Sequence, residues 1–452
     1  MLKYTTLGGP NFGRQADLRP ACNAALMEYP LKVARPMSPE ARNVQLAKGL
    51  LAMKISVQAS TRSSAESALH EAYVNLVTEI GIPDLLIINV TSKSVPDIGF
   101  AIRDLGVDAV HGATTCRGVI THGSSFTSEG HTLGILGISD PGGGYGAGSY
   151  SYSEGVAEAV DRALDQALRA AGRSGEVPDL VWLSSTPGNE EAVLERLAER
   201  LGEHVPVIGG SAADNDVEGD WAVFDQSGEA LSNGLVLSVL FSSTGIAFAY
   251  HSGFEPADAS WRVTAAKGRT LYELDGTPAS HAYNLASSGV VDEAQGCGEA
   301  LLRHSTFNPL GRIDSNIGNV PMYLLSHPAS VGEGGSINLF SEVAIGDELT
   351  LMKSTPGALL SRPSMVAESA LSANGWSVDQ VAGGLIIFCG GCMLAVEDSL
   401  AEIKLNLARA LPGIPFLVTF TFGEQGRFLN GKNRHGNLMI SAILFRGPGD
   451  AK

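Results

Sequence analysis

The chain has 452 residues, 44% of them hydrophobic, and a formal net charge of −17 at pH 7. That length favours two domains over one, and that apolar content supports a sizeable core and excludes wholesale disorder. The acidic balance argues against nucleic acid or an anionic membrane as partner, because both need a basic face. No apolar run approaches the roughly 18 residues that would span a bilayer.

Residues 1–52 differ from the rest. They carry Lys3, Arg14, Arg19, Lys32, Arg35, Arg42 and Lys48 against Asp17, Glu28 and Glu40. A basic head on an acidic chain reads as an extension packed on the domain, or as an organellar transit peptide, or as a segment ahead of a start at Met53. No secretory signal is visible. Five cysteines make an odd number in a long chain, so a disulfide framework is not expected. A reducing compartment, the cytoplasm, is the simpler reading; a transit peptide would change it to a stroma or matrix.

From Ile55 the pattern predicts a strand, then a helix from about Ser64 to Ile80, with Leu69, Ala72, Leu76 and Val77 at helical spacing. Three stretches then repeat one plan: apolar run, helical segment, apolar run ending in Gly and small polar residues. The first runs from Pro83 to Gly118, the second from Pro178 to Asp214, the third from Gly384 to Glu424. Each predicts strand, crossover helix and parallel strand. Ligands of open α/β sheets bind beyond such strand ends.

Between these units, Thr132–Ser139 predicts a strand, and the glycine-rich 140–149 segment predicts a mobile lid or connector. A helix follows from about Ser153 to Ala171. Trp221–Phe224, Gly234–Phe241 and Gly245–Tyr250 predict an antiparallel meander. A boundary near Gly253–Pro256 divides the chain into 1–52, 53–255 and 256–452. The second half predicts a strand at Trp261–Thr264, a helix at Ala279–Ala286, an irregular stretch, and strands near Val320–Leu325, Ser336–Phe340 and Glu348–Met352. A helix at Arg362–Leu371, the third unit and a strand at Leu438–Phe445 complete it. The expected class is α/β: stacked mixed β-sheets with outer helices, in two related α/β domains.

The strand ends nominate the chemistry. Cys389-Gly390-Gly391-Cys392 follows a strand and precedes a helical pattern, which suits a lowered thiol pKa and a redox pair. It equally suits a tight turn with two small buried residues. One such pair is no zinc site, and no metal is expected. Cys116, beside Thr115 and Arg117, is a second thiol candidate or a buried turn residue. Arg117 offers a two-pronged donor for a carboxylate, or a surface ion pair. Gly209, Gly210 and Ser211 suit close backbone approach to a ligand, and Asp214 could receive an ammonium group; a sharp strand exit explains them as well. Glu424 is an acid, a base or a turn cap. A thiol-dependent enzyme using Cys389, Cys392, Cys116 or Glu424 is therefore one functional reading.

A second reading comes from resemblance. Val205–Asp214, Ser232-Asn233-Gly234, His251–Pro256, Val263–Gly268, Tyr272–Ala279, His327-Pro328, Gly335-Ser336-Ile337, Gly423-Glu424 and His435 together resemble the FIST family of sensory proteins. The resemblance implies an N-terminal and a C-terminal FIST domain, a small ligand, and a separate signalling protein such as a histidine kinase. Amino acids are the suggested ligands. One branch resembles haem-binding nitric-oxide sensors, which would make haem b the cofactor and His435, then His251, the axial candidates. The family's last motif reads His-Asn-Gln-Thr, where this chain has His435-Gly436-Asn437-Leu438. The expected ligand site is Thr115, Arg117, Gly209, Gly210, Ser211, Asp214 and Glu424, at strand ends between the domains.

Overall fold

The structure is a computed structural model that describes residues 52–127, 131–297, 300–428 and 430–447. The readings of the basic head fall, apart from residue 52, outside the described residues. The three repeated units fold as expected. Leu85–Val90 pairs in parallel with Val110–Thr114 across the helix Val95–Asp104. Leu180–Ser185 pairs with Val207–Ser211 across Glu190–Leu201. Val381–Cys389 pairs with Phe416–Thr421, with helices Gly390–Ala395 and Leu400–Ala410 between them.

Each parallel pair is embedded in a mixed sheet. The first sheet runs Lys54–Arg62, His131–Ser139, Leu85–Val90, Val110–Thr114, Val223–Asp225. The second runs Asn433–Gly436, Glu424–Arg427, Val207–Ser211, Leu180–Ser185, Gly234–Phe241, Gly144–Ser151. The third runs Ile246–Ser252, Met439–Arg446, Val381–Cys389, Phe416–Thr421, Gly118–Thr121, Ser125–Thr127. Strands are exchanged: two late strands complete the second sheet, and two early strands complete the third.

Alternation along the strands explains the layering. Ile87, Leu136, Trp182, Leu240, Leu385, Ile387 and Leu417 meet in one core shared by the three sheets. Their immediate neighbours point the other way. Ile88 and Ile135 meet Leu69 and Leu76 of the helix Ala65–Ile80. Leu183 and Leu237 meet Leu164 and Val193, and Ile386 and Phe388 meet Val366 and Ile403. Sheets buried on both faces read as continuous apolar runs. A fourth, antiparallel sheet, built from residues 255–274 and 310–353, carries the helices Ala279–Ala286 and Val290–Cys297 on a core of its own. The observed class is α/β with several mixed sheets and outer helices.

Three local expectations are corrected. The glycine-rich 140–149 segment is no lid: Gly144–Ser151 is an edge strand. Its glycines let the helix Val156–Ala170 lie against it, since a Cβ on Gly146 would stand 2.0 Å from the Ala167 carbonyl oxygen and one on Gly148 2.3 Å from that of Ala163. The expected meander does not form. Val223–Asp225, Gly234–Phe241 and Ile246–Ser252 go to three different sheets, because sequence neighbours with similar apolar patterns find partners elsewhere. The stretch after Ala286 contains the helices Val290–Cys297 and Leu301–Ser305 and the strand Leu310–Ile317.

Candidate functional site

The ends of the three units meet. The Cys116 N–H donates to the Phe420 carbonyl at 3.1 Å, and the Ala213 N–H to that of Thr114 at 3.1 Å. The Ser211 N–H donates to the Gly423 carbonyl at 2.8 Å, and the Phe422 N–H to that of Ser211 at 3.1 Å. First, second and third units are thus tied by backbone hydrogen bonds at one hub.

Most of the expected ligand residues build that hub. Thr115 accepts from the Phe420 N–H at 2.9 Å and donates to the Gly118 carbonyl at 2.9 Å. Gly209 and Gly210 pair with Gln425 and Glu424, where a Cβ would stand 1.8 Å from the Leu183 oxygen and 2.5 Å from Thr421 Cγ2. Asp214 accepts five backbone N–H groups, those of Asp216, Val217, Glu218, Gly219 and Asp220. Its carboxylate shapes its own loop. Arg117 has φ 58° and pairs with Glu397 at the rim.

Behind the hub lies a buried thiol and carboxyl cluster. Cys389 ends its strand and Cys392 lies in the short helix Gly390–Ala395; both are free thiols, 4% and 0% exposed. Burial works to raise the Cys389 pKa, but the Cys392 thiol and the N–H groups of Cys392, Gly391 and Leu438 all donate to its sulfur and bring it to about 7. Cys392 is pushed well up, by burial first and then as the donor to Cys389. Glu424 is fully buried and held neutral, by burial first and then by Cys389. Thr421 Oγ1 donates to its Oε1 at 2.8 Å and the Met439 N–H to its Oε2 at 2.9 Å. Burial, with no comparable set of donors, pushes Cys116 up to about 12.

A second network leads outward. The Ser211 hydroxyl donates to Glu190 Oε1 at 2.7 Å, and Gln425 Nε2 reaches Ser211 Oγ at 3.3 Å and His435 Nδ1 at 3.2 Å. Arg269 bridges Glu190 and Glu191 at 2.7 and 2.6 Å. Burial would raise Glu190, but His435 and Arg269 hold it below the usual carboxylate range. Glu190, Glu191 and His435 bring their donor atoms within 4.8 Å of one another; Arg269 already occupies both carboxylates, so the group is read as an ion-pair cluster.

His435 and Glu191 border a cleft of about 590 Å³ between the helix Glu190–Leu201, the 341–344 segment and the strand Asn433–Gly436. Glu195, Glu199, Glu203 and Glu342 line it, with Arg312, Lys432 and Arg434. Asp347 holds Arg312 and Asp314 holds Arg434, while Arg269 holds Glu191 and Arg196 holds Glu199, each at 2.6 Å; Glu195, Glu203 and Glu342 then stand against Lys432, which leaves the cleft negative. His435 alone among the residues nominated from sequence lines it.

The FIST N domain matches residues 86–277 and the FIST C domain matches 290–427, together most of the chain. The chain belongs to the FIST family. FIST domains are associated with sensory signal transduction and small-ligand binding. An uncharacterised protein of Methanocaldococcus jannaschii is 37% identical over 97 residues, 21% of this FIST chain and 18% of that protein's length. A crystal structure of cyanuric acid hydrolase from A. caulinodans gives a TM-score of 0.35 at 10% identity, over 87% of this chain and 99% of that one; at that level the likeness carries no argument. Among the described residues no helix is long and apolar enough to cross a membrane.

Haem was the cofactor implied for a branch of FIST proteins. His435 has Nδ1 on Gln425 and Nε2 turned to the Phe340 carbonyl at 3.5 Å, and its cleft is lined by glutamates. Carboxylates oppose an apolar macrocycle carrying two propionates, so these residues do not fit haem. His251 lies outside the cleft, on Ile246–Ser252, its pKa lowered by burial and then by Arg362.

Reading the sequence missed Glu190, Arg269, Gln425 and the cleft glutamates. One signal was available: Glu191, Glu195 and Glu199 recur every four residues and so share one helix face. Arg269 and Gln425 carried no local signal.

Proposed function

We propose that this FIST protein is a sensor for a small cationic or zwitterionic ligand, amino-acid-like in chemistry, held in the cleft beside His435. One observation carries the reading: His435 borders the cleft and is joined through Gln425 and Ser211 to buried Glu190. A charge bound in the cleft acts on a hydrogen-bonded chain that reaches the hub of all three units. The cleft volume lies in the range that encloses small molecules. Glu195 and Glu342 supply the field for an ammonium group, and Lys432 for a carboxylate. The output passes to a separate signalling partner, since a ligand that favours one arrangement of the cleft walls shifts its population.

The test is a thermal-shift screen of the twenty amino acids and simple diamines. A ligand at about a hundred times its Kd adds about 2.7 kcal/mol and, for a chain of this length, raises the melting temperature by about 3 °C. The Glu195→Gln and His435→Gln variants should lose that rise. Silence across the whole panel, or a response that both variants keep, sinks the reading.

A further inference from the structure

We propose that a second cleft, between the helix Val95–Asp104 and the 219–222 segment, binds a small aromatic carboxylate. This cleft has a volume of about 710 Å³, and no residue lines both it and the cleft beside His435. Phe100 and Trp221 give it two aromatic rings, and Lys93 and Arg103 stand there against one carboxylate, that of Asp220. Cations gathered in one concavity of a chain with net charge −17 make a local field for an anion. Phe100 is 75% exposed, the most of any large apolar side chain among the described residues. A ring left that open beside a cavity offers apolar area for a ligand to cover.

The helix wall is set for an acid. Gly99 faces Gly228, where a Cβ on Gly99 would stand 2.3 Å from the Gly228 carbonyl oxygen and one on Gly228 2.1 Å from that of Gly99. The two backbones therefore meet with no side chain filling the cleft. Arg103 Nη1 donates to the Ser227 carbonyl at 2.9 Å, and its guanidinium carbon lies 4.5 Å from the centroid of the Phe100 ring. Its remaining N–H donors have no partner among the described residues. A guanidinium held by a ring and a carbonyl is prepared to take a carboxylate with paired N–H groups.

The opposite wall is anchored to the hub. Asp214 accepts the N–H groups of Gly219 and Asp220 at 2.7 and 2.9 Å, and the Ala222 N–H donates to Thr114 Oγ1 at 3.1 Å. Between these anchors the Trp221 ring meets Phe422 edge-on, with centroids 6.2 Å apart. Trp221 is half-buried and also lines the cleft, so part of its surface remains for a second ring. A flat ring finds two aromatic partners here and its acid finds Arg103. An ammonium group finds one carboxylate against two cations, which sets this chemistry apart from that of the first cleft. The Phe422 N–H already donates to the Ser211 carbonyl, so the occupied cleft borders the hub.

The experiment is isothermal titration calorimetry of the full chain with naphthylacetate, with its neutral amide and with adenosine monophosphate. The expected result is saturable one-to-one binding of the acid, at least about tenfold tighter than the amide, because the acid adds a charge-assisted pair. Arg103→Gln should weaken the acid by about tenfold, to the level of the amide. Phe100→Ser should weaken acid and amide alike. Both side chains are exposed, so both variants should fold. Glu195→Gln, in the other cleft, should leave binding unchanged. No saturable heat from naphthylacetate at about 1 mM, or affinity that Arg103→Gln retains in full, overturns the proposal. Tighter binding of adenosine monophosphate also overturns it, by assigning the cleft to a phosphate. So does loss of the acid in Glu195→Gln, which would place it beside His435.

Discussion

Glu424 stands opposite Gly210 in the strand pairing, so a buried carboxyl of the third crossover unit sits against the end of the second. The contact is possible because Gly210 has no side chain and Thr421 fills that space. The same carboxyl accepts from Thr421 and from the Met439 N–H.

This carboxyl makes stability fall on the alkaline side. Its folded pKa lies above the unfolded value. The stabilisation is therefore fully present below the unfolded pKa and is lost as pH rises through the folded one. Glu424→Gln keeps a neutral donor and should flatten that slope in urea unfolding. Glu424→Ala should lose about 1–3 kcal/mol at neutral pH, because Thr421 Oγ1 and the Met439 N–H lose their acceptor. An unchanged slope in Glu424→Gln contradicts the neutral assignment.

His111 sets the acid side. It is buried between Ser238 Oγ and Ser184 Oγ, each at 3.0 Å, and burial lowers its pKa to about 3. Its folded value lies below the unfolded one, so its contribution is complete above the unfolded pKa and is lost as pH falls toward the folded one. Between them stability should decline by about 1.4 kcal/mol per pH unit. His327, lowered to about 4 by burial, adds to the decline. His111→Asn should remove the larger share, read from urea midpoints at neutral pH and one unit above the lowest pH at which the chain stays folded.

Gly146 and Gly148 are packing residues. Ala at either should push the helix Val156–Ala170 off its strand and lower stability by about 1–3 kcal/mol. Gly357, whose Cβ position meets nothing within 4 Å, is the control for a glycine with room. Chemical denaturation of Gly146→Ala tests this; native stability would return Gly144–Ser151 to the status of an ordinary edge.

Asp214 is an organiser of its loop. Replacing it with Ala removes five charge-assisted acceptor contacts to backbone N–H groups. The 215–220 loop should become the first site of limited proteolysis, while Asp214→Asn, which keeps one carbonyl oxygen, should be intermediate. Equal protease resistance in all three proteins would show that the loop is held by other contacts.

Much of the fold was legible. Ser64 is read as a helix start and does cap Ala65–Ile80, its side chain accepting from the Ser67 N–H at 3.2 Å. The helix Ala279–Ala286 and all three crossover units sit where periodicity put them. The glycine-rich 140–149 segment was misread because glycine that frees a loop and glycine that admits a helix backbone look alike in one dimension. The site was half legible. Ser211, Cys389 and Glu424 converge as strand-end residues should, yet they pack into the hub, and the cleft opens one step outward at His435.

Sequence by itself determined the local elements and their buried faces, because side-chain period and cap chemistry act over a few residues. Tertiary structure alone decided which strand joins which sheet, which carboxylates are neutral or already engaged, and where space remains. Those outcomes rest on partners far apart in the chain, such as the Phe420 N–H on Thr115 Oγ1 across 305 residues, and on burial that no local pattern reports.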